Sequence, residues 1–378
     1  MKVAILTSWF SLQLALTGVV AIPTKGEQDR ASVEIANLQK TGNQYIESKI
    51  SGHGHSCNSK TIVRRQEWGT LSKKARLDYV AAVKCLQAKP PLLSKTDVPG
   101  VRSRFDDFAA THIQRTPYVH FDGLFLPFHR QLVWLYEKAL REECGYKGTQ
   151  PYWDWTISWE DQRKSTVFDG SPYSMGSNGK AIPHGPTNIS AFGLSLTIQP
   201  GTGGGCLYSG PFTGYNVTLG PVAFEPKGPD GGLGYNPRCL SRDISFEWSN
   251  HTKPTDVLSL LTTCKDVGCF DTQFEDINGV HAGGHFSMGG LGIDAYSSAG
   301  DPAFWLHHAQ IDRMWTIWQN INPNNRSTQV SGTGTAFNNP PSADVTPDTK
   351  IDFGILGPQK AVGKAVSTIE NDFCYMYV

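Results

Sequence analysis

The chain of 378 residues contains eleven histidines, and six of them form two groups of three in surroundings that suit metal binding. The first group is His112, His120 and His129, in the run DFAATHIQRTPYVHFDGLFLPFHR. The second is His281 and His285 in HAGGHFSMGG, with His308 in DPAFWLHHAQIDRMW. His281 and His285 are four positions apart. A helix sets such a pair on one face, about 6 Å apart at Cβ, close enough to share one ion. Neutral imidazole suits zinc, copper, iron and nickel. Three nitrogens around an ion leave a position open, and an open position serves chemistry where a closed shell serves structure. These residues therefore offer two metal ions, each held by three histidines.

Simpler readings compete at each position. A lone histidine on an apolar helix reads as a core residue, and His-x3-His also fits half of a structural zinc site. The zinc-protease pattern HExxH fails because residue 282 is alanine. Neighbouring helical residues point about 100° apart, so only one of His307 and His308 can face an ion. Asp312 follows His308 at i+4 and is the candidate to orient a ligand from behind; the alternative is a surface pair with Arg313. Phe125 and Phe304 are expected near the site, although both would also serve as ordinary core.

Elements must bring these residues together. Apolar residues recur at helical spacing over Arg64–Leu86 (Trp68, Leu71, Leu77, Val80, Val83), predicting a helix there. Further helices are predicted over 103–115, 127–143, 254–264, 272–287 and 300–320. The third carries Pro127 in its first turn and an apolar stripe of Leu132, Leu135 and Leu140. Residues 160–245 are rich in Gly and Pro and read as irregular, as does the tail from 322. No internal repeat is visible beyond the two His-bearing helical regions. The expected fold is mainly α: a four-helix bundle wrapped by long irregular loops with a few short strands.

Composition limits the partners. Thirty-four basic and thirty-four acidic side chains balance, leaving no electrostatic footprint for nucleic acid. Residues 1–21 read as a secretory signal peptide: Lys2, an apolar run to Val20, and the small residues Val19 and Ala21 before cleavage. No later stretch is apolar enough to span a bilayer. Secretion makes disulfides the expected state of the eight cysteines, with 105 pairings open. Sequons at Asn188, Asn216, Asn250 and Asn325 agree with a secreted glycoprotein. Residues 22–56 read as a lead or pro-segment before a domain spanning 57–378.

The motifs PFHR, PYWDW (151–155), HxxxHxxMGG and DPxFWLHHxxxDRxW resemble the central domain of the tyrosinase, catechol oxidase and haemocyanin superfamily, most closely the short secreted fungal polyphenol oxidases. The resemblance covers about residues 57–320. It implies a coupled pair of copper ions, with His112, His120 and His129 holding one and His281, His285 and His308 the other, and O2 as co-substrate. It also implies small phenolic substrates, with o-diphenols oxidised to o-quinones. Monophenol hydroxylation, o-aminophenol oxidation in secondary metabolism, and more remotely haemocyanin-like oxygen carriage are the alternatives.

The chain departs from the family at four places. Some members link a cysteine to the second ligand by a thioether; that position is Tyr118, so His120 should be unmodified. Members that hydroxylate monophenols often carry Asn after the first ligand of the second copper, acting with a glutamate on a water. Here that residue is Ala282, and Glu275 is the nearest acidic candidate; the missing base favours catechol oxidation. The gate position, thirteen before His308, is Ala295, so a wide site is expected unless the loop 286–300 packs differently. Finally, about sixty residues follow Trp318, ending in a tyrosine motif with no room for a large C-terminal plug domain. Any latency is expected from residues 22–56.

Overall fold

The computed structural model describes residues 23–51 and 57–378. The expected signal peptide lies outside the described residues. Ten helices occur among them: α1 (Lys25–Ile50), α2 (Lys73–Ala88), α3 (Arg104–Arg115), α4 (Phe125–Cys144), α5 (Phe246–Ser249), α6 (Pro254–Thr263), α7 (Val267–Glu275), α8 (Val280–Met288), α9 (Ala303–Ile321) and α10 (Pro323–Arg326). Helix α3 starts where Ser103 accepts from the Asp106 amide and the Asp106 carboxylate accepts from the Ser103 amide, satisfying two amides that a helix start leaves free. Helix α4 ends at Gly145 in the left-handed conformation.

Helices α3, α4, α8 and α9 carry five of the six histidines, and α4 and α9 pack directly on one another. Their shared core is aromatic. Trp153, Trp155, Trp305, Trp315 and Trp318 are fully buried, and Tyr136 stacks on Trp305 with ring centroids 3.9 Å apart. The expectation of a helical core with histidine groups holds.

Two predicted helices differ from the observed ones. The helix expected over Arg64–Leu86 begins only at Lys73, with Ser72 as its cap. Its first residues form strand β1 (Val63–Arg65), which pairs in parallel with β10 (Tyr375–Tyr377) at the chain's end. Helical spacing cannot reveal a partner three hundred positions away. The helix expected over 272–287 is broken between α7 and α8. A Cβ on Gly279 would lie 2.7–2.9 Å from the carbonyl oxygens of Gln273, Phe274 and Asp276, so the chain folds back tightly there.

The irregular stretch holds small antiparallel pairs: β2 (Gly179–Ala181) with β5 (Gly204–Leu207), β3 (Thr187–Ala191) with β4 (Leu194–Ile198), and β6 (Asn216–Val217) with β7 (Arg238–Cys239). Strands β8 (Lys350–Ile351) and β9 (Lys360–Ala361) pair in the tail. All eight cysteines are bonded: Cys57–Cys374, Cys85–Cys144, Cys206–Cys239 and Cys264–Cys269. Among the described residues, no helix is long and apolar enough to cross a membrane.

Candidate dimetal centre

Helix α3 presents His112, the bend after it His120, and α4 His129. Each ring is held from behind by a backbone carbonyl. Nδ1 of His112 lies 2.7 Å from the Tyr296 oxygen, Nδ1 of His120 3.1 Å from Thr116, and Nδ1 of His129 2.9 Å from Phe125. A carbonyl oxygen only accepts, so each Nδ1 carries the proton and each Nε2 keeps its lone pair. Nε2 of His112 and of His129 are 3.4 Å apart. Two lone pairs facing one another without a proton between them repel. Two imidazoles bound at about 2 Å to one tetrahedral ion would stand roughly 3.3 Å apart, so a cation fits where the repulsion is.

Helices α8 and α9 bring His281, His285, His307 and His308 together, with ligand-capable nitrogens all within 4.8 Å of one another. Nε2 of His285 and of His308 are 3.1 Å apart, and Nε2 of His281 is buried without a hydrogen-bond partner. His307 and His308 are both buried beside the cluster. Their chemistry still separates them. The Trp155 indole N–H donates to Nδ1 of His307 at 2.9 Å. Indole nitrogen only donates, so neutral His307 carries its proton on Nε2 and has no lone pair left for an ion. The PYWDW motif thus fixes the tautomer of a histidine that sequence reasoning set aside. Helix α8 can come this close because a Cβ on Gly284 would lie 2.2 Å from Cε1 of His307.

The two groups face each other, with ring centroids of His129 and His308 4.4 Å apart. Phe125 contacts His120, His129 and His281, and Phe304 contacts His112, His285 and His308. Both phenylalanines therefore bridge the groups. Burial holds the imidazoles neutral: His112 is pushed down to about 4 and His285 to about 3. Every ring stays unprotonated at neutral pH, as metal binding requires.

The remaining predicted residues have varied positions. Glu275, Ala282 and Ala295 line a cavity of about 70 Å³ that also includes His120, His281 and His285. Both Glu275 oxygens accept from the Phe121 amide, at 2.8 and 2.9 Å. Burial, then the nearby Asp271, raises the Glu275 carboxyl well above its usual range. The tip of the β3–β4 hairpin roofs the cavity, with Phe192 stacked on Tyr296 at 5.7 Å and 5.8 Å from the His120 ring.

The role expected for Asp312 is overturned. Its carboxylate touches none of the histidines. It binds Arg130 at 2.5 Å, Arg65 at 3.2 Å, and the hydroxyls of Tyr375 and Tyr377 at 2.6 Å each. Nor does it pair with Arg313, whose partner is Asp154 at 2.9 Å. Tyr118 is exposed, and with every cysteine in a disulfide no thioether to His120 can form.

Two facing groups of buried, neutral imidazoles on a helical core define a protein built to hold a pair of metal ions. Residues 102–321 match the common central domain of tyrosinase. Tyrosinase P of Aspergillus terreus is 40% identical over 338 residues, covering 85% of this chain and 93% of that protein. N-acetyl-6-hydroxytryptophan oxidase of Emericella nidulans is 36% identical, covering 85% of this chain and 93% of that one. A polyphenol oxidase from Thermothelomyces thermophila, solved as its G292N mutant, superposes with a TM-score of 0.87 at 40% identity, over 92% of this chain and 98% of that one. The chain belongs to the tyrosinase family and is an oxidoreductase of that class. The family uses a binuclear copper centre, and both histidine groups fit one.

Proposed function

We propose that this protein is a secreted oxidase of o-diphenols, converting them to o-quinones with O2 at a copper pair. His112, His120 and His129 would hold one ion, and His281, His285 and His308 the other. When bound, the coppers supply the exchange of electrons between diphenol and O2. The chain's own residues do the rest. Carbonyl oxygens behind His112, His120 and His129 keep Nε2 of each free. Phe125 and Phe304 pack against both groups of rings, and the apolar cavity beside His281 and His285 receives the substrate ring. The disulfides and the signal-like leader support secretion.

The single observation that carries this reading is the facing pair of Nε2 lone pairs on His112 and His129, repulsive unless a cation lies between them. Preference for diphenols over monophenols rests on the cavity wall. Both Glu275 oxygens already accept from the Phe121 amide, and the Ala282 methyl cannot hydrogen-bond a water. Catechol is therefore oxidised without a lag and phenol far more slowly. Ala282→Asn is expected to raise the phenol rate severalfold; comparing oxygen uptake on matched mono- and diphenols reads this. Wild-type protein that hydroxylates phenol as fast as it oxidises catechol would overturn the preference. The names of the relatives support a second reading, oxidation of a monophenol: one is called a tyrosinase, the other an oxidase of a hydroxytryptophan derivative.

A further inference from the structure

Three of the six non-glycine residues with positive φ among the described residues are phenylalanines: Phe121 (φ 55°), Phe192 (φ 54°) and Phe337 (φ 52°). A bulky side chain in this region is strained, and such strain persists where surrounding structure enforces it. The three come from separate loops: the bend before α4, the tip of the β3–β4 hairpin, and the tail. Yet their rings touch in sequence. Phe337 stacks on Phe121 at 4.6 Å, Phe121 meets Phe192 edge-on at 5.1 Å, and Phe192 stacks on Tyr296 at 5.7 Å. Phe337 is half exposed at the outer end of this arc.

The arc joins two spaces. The cavity beside the histidines shares Phe121, Leu194, Glu275 and Ile277 with an outer cleft of about 480 Å³ that Phe337 also lines. The cleft's polar wall contains Asp122, Asp271 and Asp276 and no basic side chain.

We propose that this outer cleft is a second subsite, which takes the distal aromatic ring of a two-ring o-diphenol while the proximal diphenol ring occupies the cavity beside the histidines. Phe337 and Phe121 supply faces and edges for a second ring, and a wall without a basic side chain offers a distal anion no partner. This rests on the proposed oxidation of o-diphenols and narrows its substrate class.

The test compares 4-phenylcatechol with catechol on the copper-loaded enzyme. Wild type should favour 4-phenylcatechol through KM, and Phe337→Gly, which also relieves the positive φ, should lower that preference about three- to tenfold, the range for losing one aromatic contact. Phe337→Tyr should restore it, and a carboxylate on the distal ring should remove it in wild type. As a binding readout, 3,4-dimethoxybiphenyl, which cannot be oxidised, should inhibit competitively more strongly than 1,2-dimethoxybenzene, with the difference lost in Phe337→Gly. An unchanged preference in Phe337→Gly, or equal inhibition by the two ethers in wild type, would refute the subsite. Failure of wild type to oxidise either catechol would instead refute the proposed function.

Discussion

At the scale of single residues, the site is built by what stands behind each imidazole. Carbonyl acceptors behind His112, His120 and His129 leave Nε2 free, while an indole donor behind His307 leaves it protonated. Trp155→Phe removes that donor and releases the tautomer of His307. Copper titration should then show altered affinity at the second group, with the first group unchanged; equal effects on both groups would contradict the assignment. Gly284→Ala drives a methyl into the His307 ring and should destabilise the fold by about 1–3 kcal/mol, the cost of overpacking. Thermal unfolding measures it, and a neutral effect would mean that α8 and α9 are less tightly fitted than their geometry indicates.

At the scale of elements, Asp312 does not serve the metal centre but ties the C-terminus to the bundle. Burial alone would raise its carboxyl. Arg130, Arg65 and the hydroxyls of Tyr375 and Tyr377 outweigh that and hold it below the usual range. The unfolded chain therefore binds more protons at this group, so its stabilisation is complete above the unfolded value, about 4, and is lost as pH falls through the depressed folded value. Asp312→Asn leaves Arg65 and Arg130 short of a buried partner and should cost about 3–5 kcal/mol. Unfolding followed from pH 7 to 3 should also show a shallower acid loss in the variant than in wild type; identical slopes would contradict the account. The sequence motif was read as a ligand support because His308 and Asp312 share the i+4 spacing. That spacing places both on one stripe of α9, but says nothing of the residues from β10 that reach Asp312 first. The six histidines were legible because their motifs are local. The break at Gly279 and the hairpin over the cavity were not, since both depend on contacts between segments far apart in sequence.

At the scale of the whole molecule, residues 25–50 of the segment expected to confer latency form a helix packed on the core. Helix α1 packs on α6 and α9, burying Ile35, Ile46 and Ile50, and Gln39 binds Arg313 at 2.7 Å. No residue of α1 lines the cavity. Deleting residues 25–50 should lower thermal stability without raising kcat/KM for catechol; an increase in turnover would show that the segment acts as a pro-segment. The disulfide Cys57–Cys374 then holds the start and end of the 57–378 region together beside β1 and β10. The most direct test of the central claim is the copper content of purified, copper-reconstituted protein, measured by elemental analysis beside His129→Ala and His308→Ala. The account predicts two equivalents per chain in wild type and about one in each variant, with oxidation abolished in both. Wild type holding fewer than two, or either variant still holding two, would contradict it.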